Sequence, residues 1–599
     1  MKRIRTKGIV AIGLAIATSL AACGGADAPP QAGTGTTEAP STGGAATTEA
    51  PSGSEAPVGT DAPDTGDTGD TGDTGTTVAG AGGEGPAGVP DGAGTVLTPA
   101  PTGEAESAVW AVYRETATID PLYVFDYPDN AAMAIACESL LRQEPDLTIG
   151  PGLATSAEYV SPTELVITLR DGVTFWDGTP LTAADVVFSL ERQRNPELGG
   201  FYGAVFASVE SIEATGDLEV TITTTAQDNA IIGELSGPVG AVVQQAFTEA
   251  QGPNFATAAG GVMCTGPYQL DSWVVGEGLT FVRNDSYWDT SLPLQLQEIV
   301  IRGVSDEAVL TSGLLTGEID GSYPITLSTL DQLRESDAVN VYEGPSLGIA
   351  AFIVSSFDGA LADARVRRAI SMALDRQGLV DALYKGAAYP ARAPAVPGTW
   401  GFERQTFVDA WNALPDVSTP DLDEAKALVE EAGASGQTVR LGMSSELTPL
   451  AVQAGEFQRA IESIGMEAEL VSVSAANYIN FFIDPAAREE IDGFFTVNYP
   501  NFADPFGLYA TMIGPDGSQA YNGYADPAAI DLVEQIRTAT DPATQAQLEV
   551  ELQSLIMDEM LWIPIVAPTN VLVMSTEITG APATFQYMFG PWAAYLGAA

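Results

Sequence analysis

Few side chains in this 599-residue chain could do covalent or metal chemistry. Cys23, Cys137 and Cys264 are its only thiols, and it contains no histidine. Without imidazole there is no Ser-His or Cys-His nucleophile and no imidazole zinc site. Acids are plentiful, 79 against 24 basic residues, so hydrolysis by paired carboxylates is the enzymatic class left open. No acidic pair stands in a recognisable catalytic setting. What remains is noncovalent chemistry: aromatic side chains that stack on a solute, and amides or acids that hydrogen-bond it. The acidic balance also repels nucleic acid and anionic lipid heads, so neither is an expected partner, whereas a cationic solute would be attracted.

The elements that must carry such residues begin well inside the chain. Lys2, Arg3, Arg5 and Lys7 precede an apolar run over 9–20 that ends in Leu20-Ala21-Ala22-Cys23. Residues 1–22 read as a signal peptide, too short for an ordinary membrane span. The small residues before Cys23 resemble the bacterial lipobox, which implies cleavage there and acylation of the Cys23 thiol. A multiply acylated cysteine would hold the protein on a membrane. Residues 23–106 are rich in Gly, Thr, Pro and Asp and cannot bury enough surface to fold, so they read as a disordered linker. A chain of that length spans about 50 Å on the square-root scaling of flexible linkers. The Thr65-Gly66-Asp67 triplet, repeated through Asp73, lacks the bulky apolar position of a calcium-binding β-roll and reads as part of the same linker. With Cys23 acylated, Cys137 and Cys264 remain as an extracytoplasmic pair, and only their Cα separation decides whether they bond.

The folded body centres on residues 165–192. Leu165, Ile167 and Leu169 alternate with Val166, Thr168 and Arg170, the period of a strand with one buried face. Asp171-Gly172 and Asp177-Gly178 mark turns, and Thr182 with Asp185 forms a capping box that opens a helix stopped by Asn195-Pro196. Further on, Val366, Ala369, Ile370 and Ala373 recur at helical spacing after the cap Asp363. Arg365, Arg367 and Arg368 beside them read as local ion pairs rather than an anion site. Capped helices from Asp421 and Leu450 and a strand over 466–474 give β-α-β alternation, hence an α/β fold with mixed sheets covered by helices.

One run is more specific than its secondary structure. Leu169-Arg170-x-Gly172-Val173-x-Phe175-x-Asp177-Gly178-x-Pro180-Leu181-Thr182-Ala183-x-Asp185-Val186-x-Phe188-Ser189 resembles the signature of the extracytoplasmic solute-binding proteins of peptide/nickel-type ABC importers. Glu138-Ser139-Leu140, Pro151-Gly152-Leu153-Ala154, Cys264-Thr265-Gly266-Pro267-Tyr268, Arg283-Asn284-Asp285, Gly317-Glu318-Ile319-Asp320 and Trp562-Ile563-Pro564 follow in that family's order, from about Ala108 to Tyr595.

The resemblance implies a two-lobed periplasmic-binding-protein-like fold with an extra subdomain in the first lobe and a hinge between lobes. The implied bounds are 107–150, 264–345 and 561–599 for the first lobe, 151–263 for the extra subdomain and 346–560 for the second lobe. It implies a monomer that binds an oligopeptide or another small solute by hinge closure and delivers it to a permease with a cytoplasmic ATPase. Neither catalysis nor any cofactor or metal is implied. The expected location is extracytoplasmic, on the periplasmic or cell-surface side of the membrane. In peptide-binding members an aromatic followed three residues later by Asp holds the ligand's amino group. Here Phe495 keeps the aromatic and Asn498 replaces the acid; an amide supplies no charge, and charge-assisted bonds are roughly twice as strong. Asp504 would substitute if its loop folds back. No basic residue precedes Arg459 in the helix from Leu450, where dipeptide-binding members anchor a carboxylate. Tyr123, Phe125, Tyr127, Tyr202, Trp400, Phe495, Tyr499 and Phe502 are the aromatic candidates to line the cleft, for a peptide or for an oligosaccharide, opine or polyamine. A ligand sensor or adhesin on the same fold and a secreted hydrolase are the competing classes.

Overall fold

The computed structural model describes residues 95–323, 327–515 and 517–599, all within the compact unit Ala81–Ala599. The signal peptide, Cys23 and most of the expected linker lie outside the described residues.

The alternation around Ile167 produces the expected strand. Glu164–Leu169 buries Leu165, Ile167 and Leu169 and pairs antiparallel with Ala154–Ser161 and Glu219–Thr224. With Val209–Gly216 these form a four-stranded sheet. Gly172 and Gly178 take φ of 80° and 83°, the left-handed turn conformation that an L side chain resists. Helix Ala183–Arg194 then opens as expected, with the Asp185 carboxylate accepting from the Thr182 N–H at 3.2 Å. Its Val186 and Leu190 pack on the sheet, and the result is a small subdomain with its own core.

Cys137, at the end of helix Tyr127–Ala136, is disulfide-bonded to Cys264, with the Cα atoms 4.9 Å apart. The bond closes a 127-residue separation that contains the whole small subdomain. In the chain-entropy picture a loop of that size contributes roughly 4–5 kcal/mol.

Two larger sheets carry the lobes. The first has seven strands, in the order Val339–Gly344, Asn570–Ser575, Gly321–Ser322, Ala105–Val112, Leu296–Gly303, Gly278–Arg283, Tyr268–Val274. Behind it lies an aromatic core in which Tyr323 stacks on Tyr587 at 3.9 Å and Trp110 meets Trp592 at 4.7 Å. The second has six strands, in the order Ala388–Pro390, Trp562–Pro568, Ile349–Val354, Gly493–Asn498, Thr438–Met443, Glu467–Ser472. Its central strand Ile349–Val354 is buried throughout, as a strand covered by helices on both faces must be. Helix Ala364–Ala373 turns the predicted stripe of Val366, Ala369 and Ile370 inward. Of its arginines Arg365 pairs locally, with Asp363 at 2.6 Å, whereas buried Arg367 donates to the Leu361 and Ala362 carbonyls and also to the Glu559 carbonyl at 2.8 Å, and Arg368 pairs with Asp558 at 3.8 Å.

Two boundaries differ from the sequence expectation. Residues 95–106 belong to the folded body: the Thr95 N–H donates to the Glu343 carbonyl at 2.7 Å and the Thr102 N–H to the Ala598 carbonyl at 2.9 Å. They are held mainly through backbone groups, so their linker-like composition concealed it. The second lobe extends beyond 560, because Trp562–Pro568 lies between Ala388–Pro390 and Ile349–Val354 in its sheet. The chain therefore crosses between lobes at 345–348 and again at Thr569.

Candidate ligand cleft

The two crossings lie side by side, and a cavity of about 140 Å³ opens between them. Ser346 and Gly348 come from the first crossing and Thr569 from the second. Tyr127 enters from the start of its helix, Phe585 and Tyr587 from the turn Phe585–Met588, and Val497 from strand Gly493–Asn498. Both lobes thus contribute walls. No charged side chain among the described residues lines the cavity. Tyr499 packs edge-on to Tyr127 at 5.6 Å and against Phe585 at 5.0 Å, which extends the aromatic wall toward the lobe contact.

Nearby charge is neutralised. Asp126 caps the Tyr127 helix, accepts from the Tyr113 hydroxyl and pairs with Arg114 at 2.8 Å, and Arg114 also holds Asp129 at 2.8 Å. Burial, the bond to Asp126 and the carboxylate's charge all push the Tyr113 hydroxyl well above the ordinary phenol range.

The predicted site residues divide into groups. Tyr123, Phe125 and Tyr202 sit together at the first lobe's rim: Tyr202 donates to the Val124 carbonyl and Tyr123 to the Leu198 carbonyl, each at 2.8 Å, and Phe125 meets Phe201 at 4.6 Å. Tyr499 reaches across from the second lobe and donates to the Phe125 carbonyl at 3.2 Å. Asn498 stands at the end of its strand with both amide ends engaged, Nδ2 donating to Gln519 at 2.8 Å and Oδ1 accepting from the Tyr499 N–H at 2.8 Å.

Phe502 and Asp504 line a separate cavity of about 390 Å³ with Asn229 and Gly233 of the small subdomain. Asp504 accepts from the Phe506 N–H at 2.7 Å and from Gln545 at 3.1 Å, and burial pushes its carboxyl up to about 6. Beside it, burial and the Asp504 charge raise Glu549 strongly. Phe495 and Trp400 do not reach the cleft. Phe495 is packed between Phe352 and Phe457, and Trp400 lies against Phe407 and Trp411, both inside the second lobe's cores.

Sequence reasoning did not select Phe585, Tyr587, Asn501, Gln143 or Glu234. The first two look like core aromatics in a C-terminal run without polar punctuation. The other three form a polar clasp between lobes. Gln143 donates to the Asn501 carbonyl at 2.6 Å, and the Asn501 amide donates to Glu234 at 3.0 Å. Arg537 of the second lobe pairs with Asp228 of the small subdomain at 3.1 Å. The other buried acid of note, Glu138, is satisfied by Tyr287, Trp288 and Thr265 at 2.6, 2.9 and 2.8 Å. Among the described residues, no group of three Cys, Asp or Glu side chains is placed to hold a metal ion.

Two lobes joined by two adjacent crossings, with a wall from each around a central cavity, define a two-lobed solute-binding protein. The chain belongs to the bacterial extracellular solute-binding proteins, family 5, whose middle-region model matches residues 148–520. The activity of that family is solute binding rather than catalysis. The chain is 27% identical over 488 residues to protein XP55 of Streptomyces lividans, covering 78% of this chain and 85% of that protein. It is 25% identical over 490 residues to the glutathione-binding protein GsiB of Escherichia coli K12, covering 80% and 92%. Among solved structures it resembles the periplasmic binding protein DppA of Helicobacter pylori in complex with the peptide STSA. That match has a TM-score of 0.67 and 20% identity, and covers 83% of this chain and 98% of the other.

Proposed function

We propose that this protein is the membrane-anchored, extracytoplasmic solute-binding component of an ABC importer, that its solute is a short peptide or peptide-like compound, and that it hands the solute to a permease. The observation that carries the reading is the cavity at the double crossing, walled by both lobes. A solute there touches both halves and shifts the population toward the closed form, which is the state a permease would distinguish. The clasp of Gln143, Asn501 and Glu234 consists of hydrogen bonds, contacts that an opening of the lobes would exchange for water. GsiB is named for binding glutathione and the DppA structure is of a complex with the peptide STSA, which favours that class here. Cys23 would supply the anchor and residues 23–94 the tether.

The engaged Asn498 amide and the uncharged cavity favour a second reading, a solute without a free amino terminus at this position. A thermal-shift screen of protein lacking residues 1–23 separates the two. A ligand at one hundred times its Kd stabilises the folded state by about 2.7 kcal/mol. A shift with a tripeptide pool supports the peptide reading, whereas shifts only with opines or oligosaccharides discard it. Mass spectrometry of the membrane-extracted protein tests the anchor, since acylation adds mass to the peptide that begins at Cys23.

A further inference from the structure

The segment 498–504 is anchored in the second lobe at both ends and reaches the first lobe from its middle. At one end the Asn498 amide donates to Gln519 at 2.8 Å. At the other the Gly401 N–H donates to the Ala503 carbonyl at 3.0 Å, and Asp504 accepts from Gln545 at 3.1 Å. Between these anchors three residues cross over. The Tyr499 hydroxyl meets the Phe125 carbonyl, Asn501 joins Gln143 and Glu234, and Phe502 lies against Gly233 of helix Asn229–Glu234.

The Phe502 contact is the most exacting of the three. A Cβ built on Gly233 would stand 2.3 to 2.6 Å from three atoms of the Phe502 ring. Carbon atoms pack at about 3.5–4.0 Å, so the ring occupies a notch that exists because residue 233 has no side chain. Glycine weakens a helix relative to alanine, and this position gives up that local stability for the close approach. The ring is 4% exposed, although it stands on a loop and is not part of the second lobe's hydrophobic clusters. Its burial therefore comes from the meeting of the lobes. Tyr499, three residues away, packs on Tyr127 and Phe585 of the cavity at the crossings, whereas Phe502 does not line that cavity.

We propose that residues 498–504 form a closing strap whose Phe502 ring latches the lobes by seating in the Gly233 notch, so that solute affinity is set in part by a contact outside the cavity at the crossings. The proposal rests on the solute-binding reading and adds to it the element that holds the closed form. Apparent affinity falls with the fraction of molecules in the binding-competent state. A weaker latch therefore weakens binding while the solute's own contacts stay intact. Gly233 and Phe502 act here as positioning residues.

The test reads closure directly, by single-molecule energy transfer between dyes on Glu158→Cys in the small subdomain and Glu430→Cys in the second lobe, both exposed positions. The protein lacks residues 1–23, and Cys137 and Cys264 are bonded to each other, so the dyes go to the introduced thiols. Wild type, Gly233→Val, Phe502→Ala and the double variant are each titrated with a tripeptide pool, and melting curves check their folding. Gly233→Val should melt as wild type does without solute, show a smaller closed fraction and bind about tenfold or more weakly. Adding Phe502→Ala, which clears the ring from the notch, should bring Gly233→Val to within about twofold of Phe502→Ala alone, because the two sites are coupled. Closure and binding of Gly233→Val equal to wild type overturn the strap. A penalty that persists undiminished in the Phe502→Ala background, or a lowered melting temperature in Gly233→Val, also overturns it, since the glycine then serves the subdomain's own fold. If the pool leaves wild type unchanged, the peptide reading falls and the solute-free histograms decide the strap: a closed fraction lost in Gly233→Val supports it, and identical histograms overturn it.

Discussion

The side-chain amide of Asn501 in the second lobe donates to the carboxylate of Glu234 in the small subdomain, at 3.0 and 3.2 Å to its two oxygens. Asn501 is also held through its carbonyl by Gln143, so one residue ties its lobe to two separate elements of the other. Burial raises the Glu234 carboxyl to about 7, against which the Asn501 bond works.

A carboxyl raised in the closed, folded state binds protons there that it would release on exposure. Its favourable contribution is therefore present at acid pH and declines as pH rises from about 4.5 through about 7. A displacement of that size corresponds to roughly 3 kcal/mol at alkaline pH. Urea denaturation of wild type should show stability falling between pH 5 and pH 8. In Glu234→Gln the fall should be shallower. An equal slope in both would remove Glu234 from the account.

Asp504 and Glu549 act in the same direction, since burial raises both and the Asp504 charge raises Glu549 further. Glu549→Gln keeps a donor beside Asp504 at every pH. The variant should gain stability relative to wild type at pH 8 and match it at pH 5. Chemical denaturation at the two pH values measures the difference.

Asp228 is almost fully buried, and its partner Arg537 approaches from the opposite lobe. Arg537→Ala leaves that charge unpaired only when the lobes meet, so its penalty falls on closure. Solute affinity should weaken by about tenfold or more while the melting temperature of the ligand-free protein changes little. Calorimetric titration of the variant with the best ligand of the screen provides the check.

Phe495 and Tyr499 lie four residues apart and should respond oppositely. Phe495→Ala removes a ring packed on Phe352 and Phe457 and should lose about 3–5 kcal/mol of stability. Tyr499→Phe removes only the hydroxyl that reaches the Phe125 carbonyl, so stability should hold while affinity drops severalfold. Melting curves and binding isotherms of both variants distinguish packing from closure.

Local rules carried much of the fold. The alternation at Leu165, Ile167 and Leu169, the Asp-Gly turns and the Thr182 box were readable because each depends on neighbours in sequence. The cavity was not readable in the same way. Phe585 and Tyr587 line it only because two crossings about 220 residues apart meet beside them, and nothing in their own sequence separates a cleft aromatic from a core one. Phe495 shows the converse: the motif marks it as a ligand contact, yet strand alternation and the helix carrying Phe457 enclose it. The end of the linker escaped notice for a different reason. Residues 95–106 are fixed by backbone bonds to the C-terminal segment, which composition does not record.

The most direct test of the account is a calorimetric titration of protein lacking residues 1–23 with a tripeptide library, followed by mass spectrometry of the peptides. Saturable binding at one site per chain, with the bound peptides recovered intact, is the expected result. Cleaved peptides, or no saturable binding by any peptide, would contradict it.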